Sequence, residues 1–482
     1  MSKTIPAVRH WPSRTILALC ALLTACTTVG PDYQRPTLPA NLSERPQNDF
    51  DAFDARLVSA DPLPDKWWRL YADPVLDALV QEALAHNTDL RVAAANLEAA
   101  QAGVRGVDAQ AGVQTRIYTP ENGPALALAQ ASNAGERPSP GAHGHYDIAF
   151  GVSYELDVVG RIRRALEMAS ATADTKAAAY DLARVTVAAR VVHTYSAICA
   201  LSQRQVVARD SIALQEQSVA LLERGAQAGI HSPLDVSRAR ALLAQLRAVP
   251  ASLESQRQPA LYELAVLLGR RPEDVPAPVR ACAHIPTLER PLPVGDGTAL
   301  IKRRPDIRIA ERELAAATAK IGIETAALYP SVSLGAGIGT LARMGTDVLG
   351  DAAIHYSVGP VISWTLPNRT LAQARIEAAN AEARAALARF DAQVLTALRE
   401  VESTLAAYAR HLDEYEQLGL ARDEARQSVA IVGRLGIGGA ASTLDRLDAE
   451  RTLASAEVAL AAAQARLAED RVSVFLALGG GW

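Results

Sequence analysis

The sequence predicts a mainly α-helical chain with a small β-barrel contribution: four membrane strands per chain, long helices, and two tandem copies of one plan. Three observations predict it. First, Tyr146, Ile148, Phe150, Val152 and Tyr154 alternate with Asp147, Ala149, Gly151 and Ser153. One face of that strand is apolar and the other is small or polar. Aromatic residues close both ends of the apolar face. The eight steps between them span about 26 Å at roughly 3.3 Å each, close to the ~25 Å apolar band with aromatic girdles of an outer-membrane barrel strand. Second, the period turns helical after Gly160, and residues 161 to 224 contain no Gly or Pro. At about 1.5 Å per residue that is roughly 96 Å of helix, far more than a globular domain needs. Third, Tyr356, Val358, Pro360, Ile362 and Trp364 repeat the strand 210 residues after Tyr146. Leu234-Asp235 matches Leu444-Asp445, and Leu268-Gly269 matches Leu478-Gly479, at the same offset of 210. One offset kept over so long a stretch is a tandem repeat.

Residues 1–25 read as a lipoprotein signal peptide. Arg9 and Arg14 make a basic start, and Ile16 to Leu23 is an apolar run too short to span a bilayer. Leu23-Thr24-Ala25-Cys26 resembles a bacterial lipobox, so Cys26 is the expected lipid attachment point, carrying an N-acyl diacylglycerol. Such chains add membrane affinity by burying methylenes. Thr27 after the cysteine resembles the outer-membrane sorting pattern. Cys199 and Cys282 remain; nothing in the sequence pairs them, and Cys199 reads as a small core residue. The net charge of −4 gives no case for nucleic acid, and 49% hydrophobic with 5% aromatic residues describes an alanine-rich helical protein. No run of 18 uncharged apolar residues follows residue 25, so no membrane helix is predicted.

Residues 26–72 form the lipid-anchored arm, extended around Val29 to Pro36. The first repeat is 73–269. Asp73 and Pro74 start a helix that runs to about Ala111. Strands follow at about 112–119 and 146–156, separated by an exposed loop at 120–144. The long helix covers 161–224 and a return helix 233–268, with kinks expected at Pro250 and Pro259. A Pro-rich linker covers 270–298. The second repeat, 299–482, has a helix to about Leu328, strands at about 331–341 and 356–366, a long helix at 369–432 and a return helix at 443–478. Four strands cannot close a membrane barrel, which needs about eight or more, and an open edge cannot face lipid. The copies must share strands, and three would give twelve. Nine of the twenty residues from Leu371 to Phe390 are Ala, which permits close helix packing.

The pieces Leu-Thr-Ala-Cys (23–26), Val-Gly-Pro-Asp-Tyr (29–33), Ser-Tyr-Glu-Leu-Asp-x-x-Gly-Arg-x-Arg (153–163), Arg-Arg-Pro-Asp-Ile-Arg (303–308), Tyr-Pro-Ser-Val-Ser-Leu (329–334) and Ala-Leu-Gly-Gly-Gly-Trp (477–482) resemble the TolC-like outer-membrane efflux channels. The resemblance is to the lipoprotein, NodT-type branch that serves resistance-nodulation-division pumps, and it covers nearly the whole mature chain. It implies a homotrimer with a 12-strand barrel shared by three chains and a periplasmic coiled-coil tunnel of helices. It also implies a periplasmic adaptor (membrane fusion) protein, an inner-membrane proton-driven resistance-nodulation-division pump, and an outer-membrane location. Where the family usually has Leu-Phe-Gly after the last strand's Trp, this chain has Trp364-Thr365-Leu366-Pro367-Asn368. Matched to the family's periplasmic tip, Leu444, Asp445 and Asp448 form the pore constriction, with Asp235 as their first-half counterpart. Carboxylate rings attract cations and apolar rings gate by dewetting; equally, Asp445 can cap a helix and Asp448 stay solvated. Tyr146, Tyr154, Tyr356 and Trp364 are the expected barrel aromatic girdle.

No enzyme is expected. Two histidines, His143 and His145, do not make a metal site. Gly436 to Gly439 lacks the Gly-Lys-Ser/Thr of a phosphate loop. Asp306 between arginines reads as a structural ion pair. An adaptor would need a lipoyl-like β domain, for which no segment stands. The expected function is a passive trimeric exit duct gated at its periplasmic helix tips, with energy supplied by the inner-membrane partner and no cofactor.

Overall fold

The computed structural model describes residues 28–36, 56–59, 61–118, 146–288, 290–295, 303–342, 350–364, 369–437 and 440–480. The signal peptide, Cys26, most of the arm, the loop at 120–144, Pro367-Asn368 and Gly438-Gly439 lie outside them. In chain order the elements are β1 (Val58–Ser59), a 3₁₀ turn (Trp67–Tyr71), α1 (Pro74–His86), α2 (Thr88–Ala111), β2 (Gln114–Tyr118), β3 (Tyr146–Leu156) and α3 (Arg161–Gln227). Then come α4 (Pro233–Leu267), α5 (Ala277–Arg280), β4 (Leu292–Pro293), α6 (Pro305–Ala326), β5 (Ser331–Ala342), β6 (Ile354–Ser363), α7 (Arg369–Ile437) and α8 (Thr443–Ala477). The two long helices have 67 and 69 residues, about 100 Å each at 1.5 Å per residue.

The chain divides into two compact units, and they are not the two sequence repeats. One takes Met1–Pro36, Glu98–Thr175 and Glu311–Arg389; the other takes Thr37–Leu97, Lys176–Ala310 and Phe390–Trp482. The first unit holds a four-stranded antiparallel sheet in the order β2-β3-β5-β6. Its central pair runs the full strand length, from Tyr146 opposite Ala342 to Leu156 opposite Val332.

The second unit holds the main core. Val191, Tyr195 and Ile198 recur at helical spacing on α3 and are buried with Leu261 and Leu264 of α4. Trp67 is wholly buried and stacks on Phe475 of α8, ring centroids 4.3 Å apart. Each such buried side chain stabilises by about 1.5–3 kcal/mol relative to exposure. An 18-residue window of α3 is apolar enough to cross a membrane, but 72% of it is buried in the protein, so it reads as a core helix.

Three features differ from the sequence reading. The helix expected to run unbroken to Ala111 is split at Asn87. The Asn87 Oδ1 accepts hydrogen bonds from the amides of Asp89 and Leu90, capping α2, while its Nδ2 donates to the carbonyl of Leu267. The side chain competes with helical continuation by serving the backbone itself. The linker is also structured: β4 pairs in parallel with β1, and α5 precedes Cys282. Lastly, Cys199 is a buried core residue as expected, yet it is disulfide-bonded to Cys282 with Cα atoms 5.1 Å apart.

Candidate functional site

The sheet has two chemically distinct faces. Residues opposite each other in adjacent antiparallel strands share a face. One row reads Ile117, Phe150, Ile338, Tyr356; others read Thr115, Val152, Ala336, Val358 and Tyr154, Leu334, Pro360. This face is apolar and open to the outside: Tyr356 and Val358 are each 83% exposed. The intervening rows read Arg116, Gly151, Gly337, Ser357 and Gln114, Ser153, Gly335, Gly359. That is the pattern of a barrel wall with lipid on one side and water on the other. Tyr154 and Trp364 are about half exposed. Tyr356 stands opposite Ile338 and so in the row of Phe150, four residues along β3 from Tyr146; the aromatic ends of β3 and β6 are therefore staggered.

Both helix tips are built the same way. Ser232 precedes α4 and Ser442 precedes α8, and each forms a capping box with the aspartate three residues on, Asp235 and Asp445. The serine hydroxyls accept from the aspartate amides at 3.2 and 3.1 Å, and the carboxylates accept from the serine amides at 3.2 and 2.9 Å. The hydrogen bond from the serine hydroxyl is the main cause holding each carboxyl below the usual aspartate range. Two of the three expected constriction aspartates, Asp235 and Asp445, are thus tied to their own helix ends. Asp448 is exposed on the next turn. Leu444 and its first-half counterpart Leu234 are 56% and 57% exposed.

Sequence reasoning missed two contacts at the tips. His231 Nδ1 lies 3.0 Å from Thr443 Oγ1, joining the two tips. Glu450 is buried, accepting from Ser218 Oγ and Arg446 Nε at 2.9 Å each. The His231–Thr443 and Ser218–Glu450 contacts have no local sequence signal, because their partners come from different repeats; Arg446 and Glu450 stand at i,i+4 spacing on α8. The capping boxes did have one: Ser-x-x-Asp stands at both tips.

The arm motif and the strand-to-helix motif prove to be one contact. The side chain of Arg164 is 2% exposed. It donates to the carbonyls of Val29 and Gly30, to Asp32 Oδ1 at 2.7 Å and to Glu167 Oε2 at 2.7 Å. Gly30 has φ +83° and lies against Gly322 of α6, where an added Cβ would come within 2.5 Å of the Gly322 Cα; only glycine fits both the dihedral and the approach. Tyr33 donates to Glu311, and Arg35 pairs with the same carboxylate. Burial, then Glu311, pushes the Tyr33 hydroxyl up to about 12, so it stays protonated as a donor. Asp306 is a structural partner as expected: Arg304 grips it with two nitrogens and also reaches Glu400 and the carbonyl of Ala477. Among the described residues no group of three or more His, Cys, Asp or Glu is placed to hold a metal ion.

Residues 79–270 and 298–480 match the family described as outer membrane efflux protein. The chain belongs to that family. A probable efflux pump outer membrane protein, TtgC of Pseudomonas putida, is 30% identical over 479 residues, covering 97% of this chain and 95% of that protein. Nodulation protein T of Rhizobium leguminosarum bv. viciae is 28% identical over 471 residues, covering 97% and 94%. Among solved structures, the outer-membrane channel OprN superposes with a TM-score of 0.84 at 33% identity, covering 94% of this chain and 99% of that one. This efflux channel of the NodT type is therefore an outer-membrane conduit, a passive transporter and not an enzyme, and it works without a cofactor.

Proposed function

We propose that three copies of this channel close a 12-strand barrel and form the exit duct of a tripartite pump, with the two hairpins α3–α4 and α7–α8 of each copy contributing to a periplasmic tunnel. The observation that carries this reading is the sheet. Its four strands expose a continuous apolar face, and among the described residues the outer edges of β2 and β6 have no partner strand. Unpaired edge groups cost several kcal/mol each in lipid, so the edges must meet those of other copies. Cys26 carries the acyl anchor, and the Arg164 clasp holds the arm that follows it. Tyr146, Tyr154, Tyr356 and Trp364 stand at the barrel's interfaces. The resting pore narrows at Leu444 and Asp448, with Asp235 and Asp445 holding the helix ends that position them. A periplasmic adaptor and a resistance-nodulation-division pump complete the path and supply the energy.

The test is a detergent-purified preparation examined for an SDS-resistant trimer and then in planar bilayers. Pores are expected, and Asp448→Ala is expected to raise the closed-state conductance and lower cation preference. A monomer that stays soluble without detergent overturns the trimeric duct, and an unchanged Asp448→Ala pore overturns the constriction.

A further inference from the structure

The Cys199–Cys282 bond encloses one part of the molecule. The cysteines are 83 residues apart, and between them lie the end of α3, the first tip and all of α4. The bond therefore closes the base of the first hairpin. At the repeat offset of 210, Ala409 stands where Cys199 does, so the second hairpin has no matching bond at that position.

The two sulfurs differ in access. Cys199 is wholly buried on α3 among Val191, Val192, Tyr195 and Ile198. Cys282 follows α5 and is only partly buried. Contacts on both sides of Cys282 dock the linker without the bond: Arg257 donates to the carbonyl of Arg280 at 2.8 Å, and the Ile285 amide donates to Gln203 Oε1 at 3.4 Å. Val279 and Ile285 are buried beside them. Docking thus brings Cys282 to Cys199 while Cys282 still faces solvent on one side. An outer-membrane protein crosses the periplasm, where disulfides form and persist.

We propose that this channel is a substrate of a periplasmic protein dithiol oxidase, and that Cys282 is the point of entry. The Cys282 thiolate attacks the oxidase disulfide, forming a mixed disulfide and releasing one oxidase thiolate. The Cys199 thiolate then attacks the Cys282 sulfur, forming the Cys199–Cys282 bond and releasing the second oxidase thiolate. The channel loses two protons and two electrons, and the oxidase disulfide is reduced to a dithiol. The oxidase is recognised by its chemistry, an exposed and strongly oxidising disulfide.

The test uses full-length channel expressed in a Gram-negative host with and without its periplasmic dithiol oxidase. Cells are quenched in acid, thiols are alkylated, and outer-membrane fractions are run without reductant. Cys199→Ser leaves the mixed disulfide unresolved, so it is expected to accumulate a reductant-sensitive oxidase adduct at least tenfold above Cys282→Ser. Equal yields from the two variants, zero included, or an adduct with Cys282→Ser alone, overturn entry at Cys282. A second measurement does not depend on the variants' folding. Peptide mapping of the wild-type channel should find the Cys199 and Cys282 peptides linked when the oxidase is present and mostly separate when it is absent. Alkylated, unlinked peptides from the oxidase-competent host overturn the proposal, as does full linkage without the oxidase.

Discussion

A buried arginine needs an acceptor for each donor it takes out of water, because an unpaired charge inside a protein costs far more than an unpaired amide. Arg164 places four of its five N–H donors on two backbone carbonyls and two carboxylates, all from the arm or its own helix. The clasp has little slack. Gly322 sits where the Arg164 chain crosses α6, and a Cβ there would lie 2.6 Å from Arg164 Cγ. Arg164→Ala is therefore expected to free residues 28–36 and to destabilise by about 1–3 kcal/mol through the Val29 and Gly30 carbonyls it leaves unpaired, since Asp32 and Glu167 are themselves exposed. Limited proteolysis should then cut the arm near residue 36 before the helices are touched. Gly322→Ala should act in the same direction at about 1–3 kcal/mol through overpacking, and a thermal melt ranks the two. The tip aspartates behave differently with pH. Their folded pKa values lie below the unfolded value near 3.8, so their contribution is complete above that pH and is lost as pH falls through the folded value. Protection of the amides in the first turns of α4 and α8, measured against the intrinsic exchange rate at each pH, should fall below about pH 4. Asp235→Asn and Asp445→Asn should remove most of that dependence.

At the level of elements, the loop closed by Cys199 and Cys282 is long. Cross-linking residues 83 apart restricts the unfolded chain by about 4–5 kcal/mol in the loop-entropy account. Cys282→Ser should lower the unfolding free energy by that order and shift the denaturation midpoint down accordingly, and reductant should lower the wild type to match while leaving the variant unmoved. The bond shows what a sequence can and cannot disclose. The strands β3 and β5 were legible because their alternation is unbroken over the eleven residues of β3 and over residues 331–339 of β5. The two tips were legible because Ser-Pro-Leu-Asp and Ser-Thr-Leu-Asp stand at one offset and spell their own caps. Helix α5 has four residues, too few to carry a period, so the sequence shows only a Pro-rich linker there. Asn87 sits in a periodic run and reveals a break only through the Leu267 carbonyl it reaches 180 residues away. The clasp lay in view as two separate motifs, but nothing local states that Arg164 turns inward to the arm.

For the whole molecule the deciding quantity is which solvent each face of the sheet meets. Neighbouring positions on one strand separate the alternatives, because successive side chains point to opposite faces. Val358 lies in the apolar row with Val152 and Ala336, while Ser357 lies in the row of Gly151 and Gly337. Both are exposed in a single chain, so the monomer's own packing treats a lysine at either position alike. The trimeric barrel does not. A lysine at 358 must enter hydrocarbon, at a cost of about 2–4 kcal/mol per copy near the bilayer midplane, and assembly multiplies the penalty by the number of copies. A lysine at 357 faces the aqueous lumen and meets glycine neighbours with room for it. Val358→Lys is therefore expected to deplete the SDS-resistant oligomer in outer-membrane fractions and Ser357→Lys to leave it near wild type, read from matched gels of the two variants. Equal loss from both would mean that the faces are not divided between lipid and water, and equal tolerance would mean that the sheet never enters the membrane.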